Sequence, residues 1–233
     1  MTGTLLNTGA ILVGGGLGLL LGSKLSAKLK QTLITALGLF TLVYGVSMFL
    51  KTQNSLIVLG ALVIGTLLGE WMHLEEGLTQ LGAKLEHQFN HANGSEQQER
   101  FIKGFLAASL IFCVGPMAIL GSIEDGLTGN FNTLAVKSIL DGLTSMAFAS
   151  SLGVGVLFSA PLVLIYQGAI TLLAAQMQTF TTAAMMNELS AVGGVILVGI
   201  AISGLLEIKK IRTVSLLPAL ILAPLIVYII SLF

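Results

Sequence analysis

The chain has 233 residues, with 11 Lys or Arg and 11 Asp or Glu, so it carries no net charge at pH 7. Charged residues make up 9%, hydrophobic residues 55%, and 28 residues are glycine, whereas ordinary soluble domains carry about 25% charge and about 7% glycine. So few charges cannot cover a soluble protein of this size, and the lack of a basic excess excludes a nucleic-acid binder.

These figures point to an all-α, polytopic helical membrane protein in contact with the lipid bilayer. The single cysteine, Cys113, excludes a disulfide framework and a multi-cysteine metal site. Met1-Thr2-Gly3-Thr4 lacks the positive region of a signal peptide, so the first apolar segment is expected to remain as a membrane helix.

A span needs about 20 mostly apolar residues. Eight are predicted, at 3–22, 31–50, 55–72, 104–123, 132–151, 154–175, 189–206 and 213–232. Leu143 to Ala175 contains no charge, and only Ser150, Ser151, Gly153 and Gly155 signal a turn there. Spans five and six therefore read either as two full helices or as helices broken at membrane depth.

Lys24, Lys28 and Lys30 lie between spans one and two; Lys84, Arg100 and Lys103 between three and four; Lys209, Lys210 and Arg212 between seven and eight. Putting these three loops in the cytoplasm satisfies the positive-inside rule and leaves both termini outside. The expected organisation is a single membrane domain over 1–233 with a cytoplasmic amphipathic helix and loop at 74–99. Leu74, Leu78, Leu81, Leu85 and Phe89 form the apolar stripe of that helix.

Small residues recur at four-residue intervals in Gly14, Gly18 and Gly22 and in Ala61, Gly65 and Gly69. Such faces let helices approach closely, either within one bundle or across a homodimer seam. Ile11-Leu-Val-Gly14 also recurs as Ile196-Leu-Val-Gly199, with Lys24 matching Lys209 at the same offset. Transporters are often built from repeats of this kind.

Several segments together resemble one bacterial family: Asn7-Thr-Gly-Ala-Ile-Leu-Val-Gly-Gly-Gly16, Gly65-Thr-Leu-Leu-Gly-Glu70, Gly193-Gly194, Ile208-Lys-Lys-Ile-Arg212 and Leu217-Pro218-Ala219. The chain is similar to the inner-membrane proteins grouped as domain of unknown function 554. The resemblance implies a bacterial plasma-membrane protein, with a transport label on some members. It supplies no substrate and no functional residues.

Lys137 and Asp141 carry the strongest chemical signal. Four residues apart, they share one helix face, which Ser138, Thr144 and Ser145 extend as polar lining. An ionisable group at bilayer depth costs about 2.5–3.5 kcal/mol to insert, so it faces a bundle interior or a water-filled cavity. The expected role of Asp141 is to bind a cation or a proton, with Lys137 as counter-charge. The bland alternative is a structural pair. Glu124 and Asp125 are expected to line an outer vestibule that attracts cations, or else to be a solvated loop.

Gly115-Pro116 breaks the hydrogen-bond ladder of span four and reads as a hinge or a packing kink. Glu70 ends its helix against the macrodipole, so a basic partner is expected among Lys103, Lys209 and Lys210. His87 and His91 are too few ligands for zinc. No metal or cofactor is implied, and the absence of a nucleophile–base pair argues against an enzyme.

The leading expectation is a small secondary transporter or channel-like permease for an ion or small polar solute, plausible as a homodimer. The alternatives are a scaffold or sensor that binds a cytosolic partner through the 74–91 helix, and an intramembrane enzyme.

Overall fold

The computed structural model describes residues 1–22, 24–77, 79–80, 84, 95–113, 116–177 and 182–232, and among them there is no strand. The main helices are α1 (Thr2–Gly22), α2 (Ala27–Phe49), α3 (Ser55–Trp71), α4 (Ser95–Cys113), α5 (Pro116–Thr128), α6 (Asn132–Leu152), α7 (Ser159–Leu172), α8 (Ala183–Ile200) and α9 (Pro218–Ile230). Short 3-10 segments, Val154–Phe158 and Thr213–Leu216, lead into α7 and α9, and a π turn, Ala201–Leu205, extends α8. Leu78, Leu81, Leu85, Phe89, His87 and His91 lie outside the described residues.

The described residues of all eight predicted spans fall almost entirely on helix, and some of these helices are shorter or more polar than others. By length and composition five segments qualify as candidate membrane spans: Thr2–Gly22, Gln31–Phe49, Val154–Leu172, Ala183–Leu205 and Thr213–Ile230. A sixth is added if the bent pair Gln98–Cys113 and Met117–Thr128 counts as one. Among the described residues the candidate spans thus number five or six, against the eight predicted. α3 is short for a span at 17 residues, and α6 dilutes its apolar residues with Lys137, Asp141 and a row of hydroxyls.

The break falls in span four, where α4 and α5 are inclined at 57°. Span six is continuous from Val154 to Leu172. The turn between spans five and six is at Gly153, whose φ of 86° and ψ of −161° suit a residue with no Cβ.

The chain divides into two compact units, Met1–Leu37 with Leu81–Gln178, and Gly38–Gln80 with Thr179–Phe233. In the first, α1 lies parallel to α6 at backbone contact. A Cβ on Gly14, Gly18 or Gly22 would sit 2.0, 2.2 or 2.5 Å from the carbonyl oxygens of Gly142, Met146 and Ser150. α7 runs antiparallel to α1, with Leu157 against Gly15 and the Thr171 and Thr4 hydroxyls 3.2 Å apart. At the start of α1 the buried Asp125 carboxylate accepts the Gly3 N–H at 3.0 Å and meets the Met1 amine at 2.9 Å.

The second unit repeats the device with an antiparallel pair. A Cβ on Gly65 would lie 2.5 Å from the Ala219 nitrogen, and one on Gly69 would lie 2.0 Å from the Ser215 carbonyl. Here too a buried carboxylate holds the start of the glycine helix. Glu188, 2% exposed, accepts from the Thr52 hydroxyl at 2.6 Å, the Gln53 N–H at 2.8 Å and the Asn54 N–H at 3.1 Å. Asn54 then caps α3 by accepting the Leu56 N–H. Both glycine faces are therefore occupied within their own unit, and the expected homodimer seam loses the surface on which it rested.

At the far end of α3, Arg212 supplies the basic partner expected for Glu70, in place of the three lysines considered. Its guanidinium lies 2.7 Å from Glu70 and also pairs with Glu76. Glu75 accepts the Val214 N–H at 2.9 Å. Burial pushes the Glu75 carboxyl up, opposed by that N–H and by Arg212. The link ties the 206–212 turn to the end of α3, where His73 and Glu207 both take left-handed φ values, 51° and 54°.

Candidate functional site

The first unit brings a buried acid–base pair into its interior. Lys137 and Asp141 are each 6% exposed, and the Lys137 ammonium donates to Asp141 Oδ2 at 2.5 Å. Asn7 of α1 donates its Nδ2 to the same oxygen at 3.0 Å. α6 is 21 residues long, and at about 1.5 Å rise per residue Asp141 stands about 13 Å inside its start. The pair is therefore well within the helix, and not at a solvated end.

Asn7 can reach Asp141 because the glycine contact removes the side chains that would otherwise separate α1 and α6. Its amide is fully buried, and its Oδ1 has no hydrogen-bond partner among the described residues. Gln167 on α7 is fully buried too, and both its amide atoms are without a partner among the described residues. Thr171 sits against Thr4 on an antiparallel helix, so one turn back along α7 Gln167 reaches about the level of Asn7. The Cys113 thiol, at the end of α4, is near enough to Lys137 and Asp141 to feel their charges.

The flanking hydroxyls are placed differently from one another. Ser138 donates to the Leu134 carbonyl of its own helix at 2.6 Å, and Ser145 donates across to the Ile11 carbonyl at 2.8 Å. Thr144 points to a different, more exposed face and donates to Leu140 O. The structure thus groups Asp141, Lys137 and Asn7. Ser138 and Ser145 lie beside them with their hydroxyl protons already engaged, and Thr144 lies apart.

Glu124 and Asp125 also diverge. Glu124 accepts from Asn130 Nδ2 at 2.6 Å and Thr133 Oγ1 at 2.8 Å, closing the turn into α6. Asp125 is 4% exposed and turned inward on the start of α1. Gly115 lies outside the described residues, and Pro116 opens α5.

The amino-acid pattern marks Lys137 and Asp141 clearly, because charges in an apolar run stand out. It does not mark Gln167, which resembles any isolated amide. The Asn7–Asp141 bond crosses two helices, and substituting Asn7 with Leu is expected to cost about 0.6 and at most about 1.7 kcal/mol. Thermal unfolding of the detergent-solubilised protein checks that modest loss.

Residues 2–228 match the family described as "Protein of unknown function (DUF554)". The chain belongs to the DUF554 family. It is 37% identical over 224 residues to "Uncharacterized protein YqgA" of Escherichia coli (strain K12), covering 95% of this chain and 94% of the relative. It is 30% identical over 237 residues to "Uncharacterized membrane protein YdfK" of Bacillus subtilis (strain 168), covering all of this chain and 98% of the relative. No solved structure matches it. The DUF554 chain is a membrane protein: its apolar helices and the description of its B. subtilis relative agree.

Proposed function

We propose that this DUF554 protein is a small secondary transporter or channel-like permease for an ion or small polar solute, with Asp141 in the path. The supporting observation is the Lys137–Asp141 pair, buried deep in α6 beside Asn7, whose Oδ1 has no hydrogen-bond partner among the described residues, and near the level of Gln167, whose amide has none among them either. Unpartnered buried polar atoms are costly in a folded chain, and a polar permeant would satisfy them. α4 and α5 are inclined at 57°, and discontinuous helices commonly border transport sites.

The distribution of Lys and Arg favours a bacterial inner-membrane protein with both termini outside. The reading is of a carrier and not an enzyme, since the Ser138 and Ser145 hydroxyls are donated to backbone carbonyls and not to a base.

The test is solute flux in proteoliposomes, read both as charge movement and as radiolabel uptake. The panel comprises protons, alkali and divalent cations, small carboxylates and amino acids, with Asp141→Asn beside the wild type. Saturable flux that the variant loses, with its elution profile unchanged, is expected. No wild-type flux above empty liposomes, or undiminished flux in the variant, overturns the proposal.

A further inference from the structure

The charges at the site select among permeants. Lys137 and Asp141 form one neutral pair at 2.5 Å. A bare cation arriving at Asp141 would meet the Lys137 ammonium, and a bare anion arriving at Lys137 would meet the Asp141 carboxylate. Either would be repelled by one half of the pair while attracted by the other. A neutral solute such as a polyol would have no use for the pair.

A solute carrying both charges on adjacent groups meets neither objection. Its ammonium takes Asp141, its carboxylate takes Lys137, and one internal ion pair is exchanged for two with no change in net charge. The unpartnered amides fit the same solute. Asn7 already donates Nδ2 to Asp141, so its free Oδ1 is an acceptor beside the carboxylate, where an ammonium would sit. Gln167, near the level of Asn7, has a donor and an acceptor that no described residue engages. Charged groups buried with such capacity discriminate strongly, because a ligand lacking one of the matching groups leaves a buried partner unpaired.

Resting on the transport reading of this site, we propose that Lys137, Asp141, Asn7 and Gln167 bind a small zwitterion, an α-amino acid. Lys137 holds its carboxylate, and Asp141 with Asn7 holds its ammonium. No bond is made or broken in the step; Lys137 and Asp141 part to admit the ligand and re-form their pair when it leaves.

The test titrates the full-length protein in detergent with glycine, L-alanine and L-leucine, reading thermal stabilisation. Propionate, ethylammonium, sodium and potassium serve as comparators at matched ionic strength. At least one amino acid is expected to stabilise saturably, with propionate and ethylammonium about 100-fold weaker because each leaves one buried charge unpaired. That comparison uses the wild type alone and so does not depend on any variant folding. Lys137→Gln and Asp141→Asn should each abolish the response, and labelled amino acid should enter proteoliposomes without net charge movement.

Stabilisation and flux with a cation or a single-charge analogue, and none with amino acids, overturns the zwitterion while leaving Asp141 in a transport path. Amino-acid binding unchanged in both variants overturns the site. Neither binding nor flux for any probe overturns this inference and the transport reading together.

Discussion

Alanine at Gly14 or Gly18 is expected to destabilise the protein by about 3 kcal/mol, the upper end of the usual cost of overpacking. The same change at Gly9 or Gly16 is expected to be neutral or to stabilise slightly, since alanine is the better helix former. All four glycines lie on one helix, so composition and helix propensity do not separate them. Their surroundings do. A methyl on Gly14 would fall 2.0 Å from the Gly142 oxygen and one on Gly18 2.2 Å from the Met146 oxygen, whereas Gly9 and Gly16 have nothing within 4 Å. Main-chain oxygens cannot rotate aside as a side chain can, so α1 and α6 would have to separate. Separation would also pull Asn7 from Asp141 and Ser145 from Ile11. Thermal unfolding and size-exclusion profiles of the four variants decide the matter, and equal effects at Gly9 and Gly14 would show that the helices do not touch in this register.

Glu188→Ala is expected to cost a similar amount, about 3 kcal/mol, although Glu188 is not one of the candidate site residues. Its carboxylate receives one hydroxyl and two backbone N–H groups from residues 52–54. Removing it leaves those donors without their acceptor at the start of α3, and each unsatisfied buried group costs about 1–3 kcal/mol. Glu188→Gln keeps one acceptor oxygen but turns an NH2 toward the remaining donors, so about half the loss is expected. Thr52→Ala removes a single donor and leaves the two backbone bonds in place, and is expected to cost about 1 kcal/mol. The order Ala, Gln, then Thr52→Ala in unfolding temperature is the check; a silent Glu188→Ala would show that solvent satisfies the loop.

Much of this architecture is legible in the amino-acid sequence because the membrane simplifies the code. Long apolar runs must be helical, since no other open segment satisfies its backbone there, and the described residues of all eight predicted spans fall almost entirely on helix. What resists reading is pairing. The intervals at Gly14 and Gly65 announce smooth faces without saying what lies on them. Only the fold shows that α6 and α9 cover them inside each unit.

The carboxylates show the same limit. Asp125 looks like half of an exposed acidic pair beside Glu124, yet its neighbour closes a surface turn while it is buried on the Gly3 N–H. Glu70 visibly needs a cation, but sequence proximity cannot choose Arg212 over Lys209 or Lys210. At the candidate site, Asp141 and Lys137 are legible from charge alone. The contribution of Gln167 depends on the antiparallel packing of α7, which no local pattern encodes.

The contact between α1 and α6 is unusual in what fixes its axial position. Side-chain ridges set in grooves resist sliding, but here glycines at every fourth residue face carbonyls at every fourth residue. Displacing one helix by a full turn would set Gly18 over Gly142 and Gly22 over Met146, another arrangement of glycine on carbonyl. That seam alone leaves the register degenerate, but Leu134 sits against Gly3 and Leu157 and Ser145 crowd Gly15, places that Asn7 and Leu19 would have to enter after such a shift. The Asn7–Asp141 and Ser145–Ile11 hydrogen bonds hold the same register, a polar pawl added to that steric stop. The same carboxylate that marks the candidate site thus also helps to set the alignment of the two helices that enclose it.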